Sequence, residues 1–348
     1  MTNASNRTAP AWVGIDVAKA TFEAALHPAW VPGKEIPLAE LPGANFPRTA
    51  GGVARLLAWL DGMQAPVGAR AVMETTGRYS VELAKLLLAA RPSLAPAIAD
   101  AKSASHFARS LRLRNKTDRV DATTLARFGA ERCPAPWCPP APEYGALQEM
   151  SRQRRFLVGS LVTARNRLEE IESIVAVARI QKQVITSLEK AIERVEELMR
   201  KHVAKNAGLA AAVRRRDTVP GVAFVTATTV LGELGDLARF LTSRSLSAFA
   251  GLSPRNFDSG TSVHGRPRMC KQGSPRLRQV LYLAALAAIR NPENRFGRSY
   301  AAMVKAGKPK MVAVGAIMRK MLVIMRAMIV TETDYQDEPM SGRRAEVA

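Results

Sequence analysis

Five of the ten residues in the segment 133–142, CPAPWCPPAP, are proline. Proline locks φ, removes a backbone donor and is excluded from helix interiors. No helix and no central strand can run through this block, and it is read as the boundary between domains. Domains commonly run to roughly 100–200 residues, and a chain of 348 therefore fits two or three.

The two sides differ in kind. Before the block, Val13, Ile15 and Val17 alternate with Gly14, Asp16 and Ala18, which predicts two short strands over 12–27 with a turn near 18–20. Helical spacing at 51–62, a buried strand at 69–74, a helix at 79–90, a third interior strand at 94–100 and a helical stretch over 102–131 follow. Strands alternating with helices predict an α/β domain with a mixed sheet over 11–132. The boundary is 133–145. Beyond it, 146–212 is long, charged and almost free of Gly and Pro. Leu157, Leu161, Leu168 and Ile171, then Leu188, Ile192, Val195 and Met199, fall at steps of three and four, as in a helical hairpin or coiled-coil linker. A basic, mainly α-helical C-terminal domain is expected over 213–330. The acidic tail 331–348 has no apolar period and is expected to be disordered.

Lys and Arg number 51 against 30 Asp and Glu, a net charge of +21. That imbalance points to a polyanionic partner, nucleic acid first. Cys133, Cys138 and Cys270 are too few for a disulfide framework, and Cys133 and Cys138 lack a second pair for zinc. The opening residues carry no signal-peptide pattern. The apolar run 311–330 is interrupted by Arg319, Lys320 and Arg326, which excludes a membrane span. The expectation is a basic protein of a reducing compartment, with no membrane partner.

Four carboxylates stand out. Asp16 interrupts an apolar strand, Glu74 ends another, and Asp118 and Asp121 share one face of a helix that Thr117 can cap. Strand ends gather on one edge of an α/β sheet, and a helix start can dock beside them. Carboxylates so gathered repel one another and either protonate or collect a divalent cation. Mg²⁺ or Mn²⁺ held this way can serve phosphoryl transfer. Singly, each acid reads sooner as a surface charge, with Arg114, Lys116 or Arg119 as partners for the helix pair, and only the four together form a specific pattern.

The motifs GIDVAK, METTGRY and KTDRVDA resemble the three acidic motifs of the DEDD transposases of bacterial insertion sequences. That family also contains a pilin-gene invertase and bridge-RNA-guided serine recombinases. The resemblance extends to Gly14, Lys19, Thr76, Gly77, Tyr79, Lys116 and Ala122. It implies a RuvC-like, ribonuclease-H-like first domain with Asp16, Glu74, Asp118 and Asp121 as catalytic metal ligands.

In the C-terminal region, 251–310 holds twelve Lys or Arg and two Asp or Glu. Its glycines read as a loop, with Arg266, Arg268 and Lys271 as phosphate contacts. Val219-Pro220-Gly221-Val222 resembles a helix-hairpin-helix turn, whose backbone N–H groups face phosphate, and reads equally as an ordinary Pro-Gly turn. GLSPR, Ser259-Gly260 and the run through Lys271, Gly273, Leu277, Arg278 and Leu281 resemble the second block of the same transposase family. In that family the serine before the glycine is the nucleophile, so the resemblance implies that role for Ser259 and adds Arg278 to the nucleic-acid contacts. Ser253, Ser262 and Ser274 are rivals from sequence alone.

The resemblance implies a DNA transposase that cleaves and rejoins strands at element ends and target. It implies DNA and a bridge RNA as partners and a cytoplasmic, nucleoid-associated location. Because recombining two duplexes needs several breaks, a homodimer assembling to a homotetramer on DNA is expected. Two alternatives are a junction-resolving nuclease that uses only the carboxylates and water, and a non-catalytic nucleic-acid binder.

Overall fold

The computed structural model describes residues 10–31, 33, 35–113, 117–171, 174–259 and 263–337, with 255–259 and 263–267 described as backbone only. It divides into two compact units, Met1–Pro139 and Pro140–Ala348, parted inside the proline block.

In the first unit β1 (Trp12–Val17) and β2 (Thr21–His27) form an antiparallel hairpin, and β3 (Gly43–Pro47) pairs antiparallel with β2. After helix α1 (Ala50–Gly62), β4 (Arg70–Glu74) returns parallel to β1. Helix α2 (Arg78–Ala90) then leads to β5 (Ala97–Ala99), parallel to β4, so the sheet order is β3-β2-β1-β4-β5. A mixed sheet of this order is compatible with a ribonuclease-H-like fold. Helices α3 (Ala101–Ser110) and α4 (Asp118–Arg132) follow. The helical stretch expected over 102–131 is thus interrupted: Arg112 takes a left-handed φ of 52°, and Thr117 starts α4 afresh, its hydroxyl accepting from Val120 N at 3.2 Å. The sequence pattern does not foretell β3. Its residues, GANFP, contribute one buried apolar side chain, Phe46, and become a strand by pairing with β2.

Strand alternation sorts the sheet's two faces. Val13, Ile15 and Val17 are buried with Leu56, Leu60, Leu83 and Leu87 of α1 and α2. Trp12 and Val72 point the other way, into a core with Phe107 of α3 and Phe128 of α4. Gly14 is on that second face, and α4 lies directly on it. A Cβ added at Gly14 would stand 2.0 Å from Ala126 N and 2.2 Å from Ala122 O. Farther along α4, a Cβ at Gly129 would meet the Trp12 ring at 2.7 Å. The small residues at 122, 126 and 129 let the helix backbone approach the strand.

The second unit begins with α5 (Pro142–Glu169), whose first residue is the last proline of the block, placed where a missing N–H costs nothing. Helix α6 (Val175–Lys205) runs back antiparallel along it, tied by Arg154–Glu196 and Arg165–Glu189, each 2.7 Å. Helices α7 (Ala207–Asp217), α8 (Phe224–Leu234) and α9 (Ser243–Phe249) precede a hairpin of β6 (Pro254–Ser259) and β7 (Val263–Met269). Helices α10 (Pro275–Ile289), α11 (Arg295–Lys305) and α12 (Lys310–Val330) complete it. Leu147 of α5 and Met199 and Val203 of α6 are buried in one core with Leu231, Leu281, Ile317 and Met321. The root of the helical hairpin therefore belongs to the C-terminal core instead of standing free as a linker.

Two further expectations change. The segment read as a loop around Gly260 and Gly265 contains the β6–β7 hairpin, because backbone pairing across 254–269 can form without an apolar core. The beginning of the tail is not disordered: Tyr335 stacks on Phe296 with ring centroids 5.8 Å apart, and Asp337 binds Arg298 at 2.8 Å. One aromatic ring and one acid suffice to dock residues that show no apolar period. Residues 338–348 lie outside the described residues. No helix among the described residues is long and apolar enough to cross a membrane.

The contact at Gly14 sets the first testable expectation. Gly14→Ala should lower stability by ~2–4 kcal/mol, the cost of overpacking a closed backbone contact. Gly68→Ala, where an added Cβ meets nothing within 4 Å, should stay within about 0.5 kcal/mol. Denaturant unfolding of the two variants measures the difference.

Candidate active site

Asp16 follows Gly14 on the face of β1 that α4 covers. The parallel register sets Gly14 beside Val72 and Ile15 beside Met73, so Asp16 and Glu74 come next to each other at the strand ends. Both point to the α4 side by strand alternation. Because α4 sits on Gly14 through Ala122 and Ala126, its first turn, carrying Asp118 and Asp121, overhangs the same strand ends. Asp16, Glu74 and Asp121 are half-buried and Asp118 is exposed.

The electrostatics show the convergence. Burial pushes the Asp16 carboxyl up, and the charges of Asp121, Asp118 and Glu74 push it further, to about 6 from an ordinary value of 3.8. The charges of the other three predicted acids therefore all act on Asp16. A carboxylate usually folds into surroundings that favour its charge; Asp16 folds into surroundings that oppose it.

The turn after β4 holds Glu74 in place. Thr75 donates from its amide and hydroxyl to Ala99 O at 3.0 and 2.8 Å, and the Thr76 hydroxyl donates to Glu74 O at 3.0 Å. Gly77 then starts α2 with φ of 60°, a value that favours glycine. Arg48 donates to Lys19 O from Nε at 3.1 Å and Nη2 at 2.8 Å, and its guanidinium lies 4.5 Å from the Tyr79 ring centre. The main chain of Lys19 and the ring of Tyr79 thus tie the β1–β2 turn to α2.

A second network fixes the start of α4, and sequence reasoning missed it. Arg119 stands between the two helix acids, where it reads as their counter-charge. Its Nη2 donates to Leu41 O at 2.7 Å, and its Nη1 lies 3.6 Å from a Glu23 oxygen. It passes over Gly43, where an added Cβ would be 1.7 Å from Nη1. Glu23 pairs in register with Asp16 across the β1–β2 hairpin and also accepts from Asn45 Nδ2 at 3.1 Å. Arg119 thus anchors the first turn of α4 to β2 and to the segment before β3. The residues it joins are 78 positions apart in the Leu41 bond, so no local pattern announces it.

No three or more His, Cys, Asp or Glu side chains among the described residues are gathered tightly enough to hold a metal as they stand. The chemistry of the donor set nevertheless fits a hard divalent cation. It offers carboxylate oxygens from two strands and one helix; burial raises Asp16 most, and the charges of Asp121, Asp118 and Glu74 add negative potential that a cation would relieve.

The second predicted site lies in the other unit. Ser259 is the last residue of β6, opposite Val263, and its backbone stands at the turn end of the hairpin. The side chains of Ser259 and Arg266 lie outside the described residues, as do Gly260 and Ser262. Arg268 and Lys271 are exposed near the hairpin's base. Gly251 and Gly273 close that base: their φ values are 70° and 145°, and a Cβ on Gly273 would be 2.4 Å from Phe249 O. Arg278 donates from Nη1 to Gly273 O at 3.0 Å, so it also secures this closure. Ser274 is occupied otherwise, since its hydroxyl accepts from Leu277 N and donates to Glu233. At the Val219–Val222 turn, Gly221 has φ of 80° and packs on α10, where a Cβ would be 2.2 Å from Ala284 O.

Comparison with known proteins decides the relationship. A DEDD transposase model of the IS110 group matches residues 13–176, and the model described as Transposase IS116/IS110/IS902 family matches residues 213–301. The chain belongs to the DEDD-type insertion-sequence transposase family. Relatives align along almost its full length. The pilin gene-inverting proteins of Moraxella bovis and Moraxella lacunata are each 27% identical over 321 residues, covering 91% of this chain and 95% of theirs. The transposase for insertion sequence element IS1111A of Coxiella burnetii is 38% identical over 84 residues, 24% of this chain and 22% of its own. This transposase-family membership supports a DNA transposase or recombinase at the coarse level. The four acids lie within the first matched region and Ser259 within the second.

Two measurements test this geometry. Asp16 binds its proton more tightly folded than unfolded, so its contribution to stability is fully present below pH 3.8 and is lost as pH rises through about 6. Without metal, Asp16→Asn should therefore be more stable than the native chain at pH 8, by on the order of 2 kcal/mol, and the gap should close toward pH 4. Arg119→Gln should cost ~1–3 kcal/mol, because Leu41 O loses a charged donor and Glu23 its counter-charge. A double-mutant cycle with Glu23→Gln should show a coupling of ~0.5 kcal/mol or more.

Proposed function

We propose that this protein is a transposase that cleaves and rejoins DNA at insertion-sequence ends and target, using the four acids together with Ser259. The observation that carries it is the convergence of the charges of Asp121, Asp118 and Glu74 on the half-buried Asp16 at one sheet edge, in a chain whose family is that of transposases.

The acids would hold Mg²⁺ or Mn²⁺, which when bound supplies charge neutralisation at the attacked phosphate and a lowered hydroxyl pKa. Ser259 supplies the nucleophile. Its hydroxyl oxygen forms a bond to phosphorus, a phosphorus–oxygen bond of the DNA backbone breaks, and the departing sugar oxygen takes up a proton. The serine's own proton passes to a base. Reversal with a new sugar hydroxyl rejoins the strand and frees Ser259. Arg266, Arg268, Lys271 and Arg278 hold the phosphate chain beside it. The RuvC-like identity of the first unit, the helix-hairpin-helix character of the Val219–Val222 turn, the bridge RNA and the coiled-coil nature of the α5–α6 hairpin belong to this same reading. So do assembly from a dimer to a tetramer on DNA and a cytoplasmic, nucleoid-associated site of action. They are supported by the family resemblance, by the +21 charge and by the several strand breaks that recombination needs. A nuclease using water in place of Ser259 would leave no protein on the DNA.

The test is a denaturing gel of protein, Mg²⁺ and DNA carrying element ends. The native chain should give a protein–DNA adduct, Ser259→Ala none, and Asp16→Asn at most about 1% of the native yield, as expected when a residue of the reacting site is removed. General DNA affinity should hold in both, since phosphate contacts come from Lys and Arg. An adduct that persists in Ser259→Ala, or maps to Ser253, Ser262 or Ser274, contradicts the assignment.

A further inference from the structure

We infer that the groove between α5, α6 and the start of α10 is a seat for an unpaired strand of nucleic acid, with arginines on its phosphates and Phe156 stacked on a base. It involves neither the acids nor Ser259.

The groove has a volume of about 830 Å³. Along α5 it is lined by Arg152, Arg155, Phe156 and Arg167, one stripe at helical spacing. From Arg152 to Arg167 the stripe is about 22 Å long at the helical rise. Val184 of α6 and Arg276 of α10 face it. Among the described residues, four arginines line the groove and no Asp or Glu does.

Two of these arginines are held in advance. Glu233 of α8 lies behind them, its side chain only 4% exposed, and accepts from Arg152 Nε at 3.1 Å and Arg276 Nε at 2.7 Å. Burial pushes the Glu233 carboxyl up, but the hydrogen bonds from Arg276 and Arg152 outweigh it and keep the group below its ordinary value. With Nε engaged behind, a guanidinium loses less freedom when its remaining donors take a phosphate. Arg167 pairs with Glu170 at 2.7 Å, and Arg155 has no ion pair among the described residues. Counting both paired acids, the groove still carries an excess of positive charge.

Phe156 is 66% exposed amid this charge. An aromatic ring between arginines suits a strand whose bases are free to stack, because every base offers a π-face and every linkage a phosphate. A duplex keeps its base faces inside. A second copy of this chain fits poorly: in a two-fold interface the same patch meets itself, and four arginines would confront four.

The test uses the full chain and labelled probes: oligo(dT) and oligo(U) of roughly 12 nucleotides, within the size of a strand-binding site, and a duplex of similar length. Fluorescence anisotropy should show Phe156→Ala weakening both single strands about tenfold, with Phe156→Tyr close to native, because stacking carries the contact. Arg155→Gln should reduce the salt slope for single strands by ~0.7, the loss of one phosphate contact. Duplex affinity should change less than about twofold, since a duplex presents no base face to Phe156. Tighter binding of oligo(U) identifies RNA as the strand, and tighter binding of oligo(dT) identifies DNA. Native-like single-strand binding by both Phe156→Ala and Arg155→Gln overturns the inference. So does equal weakening of the duplex, or a Phe156→Ala effect confined to oligomer size in sedimentation.

Discussion

The candidate active site depends on how closely one helix lies on one strand. Gly14 has no side chain, and α4 presents Ala122 and Ala126 to it. Larger side chains at these three positions would hold the helix away from the sheet, and the first turn of α4 would move with it. Burying Ala instead of Leu at 122 and 126 forgoes about 2 kcal/mol of apolar burial at each position. That loss has a structural use, since it brings Asp118 and Asp121 over Asp16 and Glu74. Arg119 fixes the position along the strand by reaching Leu41 O and Glu23. The resulting negative potential opposes folding, and the apolar cores on both faces of the sheet supply the stability that outweighs it.

The helical unit follows a different logic. Its core is continuous from Leu147 in α5 to Met328 in α12, so the α5–α6 hairpin grows out of a packed base. At that base a buried carboxylate, Glu233, gathers arginines from α5 and α10 together with the hydroxyl that caps α10. Removing one partner from such a network leaves the others buried and unpaired, which costs more than the bond itself. The same unit carries the β6–β7 hairpin on a base closed by Gly251 and Gly273.

What the sequence disclosed tracks the range of the interactions. The strands of Val13, Ile15 and Val17, the cap at Thr117 and the long helices beyond the prolines are local patterns, and they are legible. The acids are legible as a set because a charge inside an apolar strand is rare. Arg119, Gly43 and β3 are not legible, since each takes its meaning from a partner far along the chain. The β6–β7 hairpin escapes for a related reason: its residues, rich in Gly and Arg, carry no alternating apolar face. Tyr335 and Asp337 show the same limit in the tail, where two contacts replace a pattern.

The central claim is that the fold half-buries Asp16 and turns the charges of Asp121, Asp118 and Glu74 on it, a potential that a divalent cation would relieve. A ¹³C NMR titration of the Asp16 carboxyl, assigned by its absence in Asp16→Asn, tests that most directly. The account predicts a midpoint near 6 without metal, a lower one in Asp121→Asn, and a fall toward the ordinary carboxylate range when Mg²⁺ is added. A midpoint at 3.8 in the native chain, unmoved by Mg²⁺ or by Asp121→Asn, would contradict it.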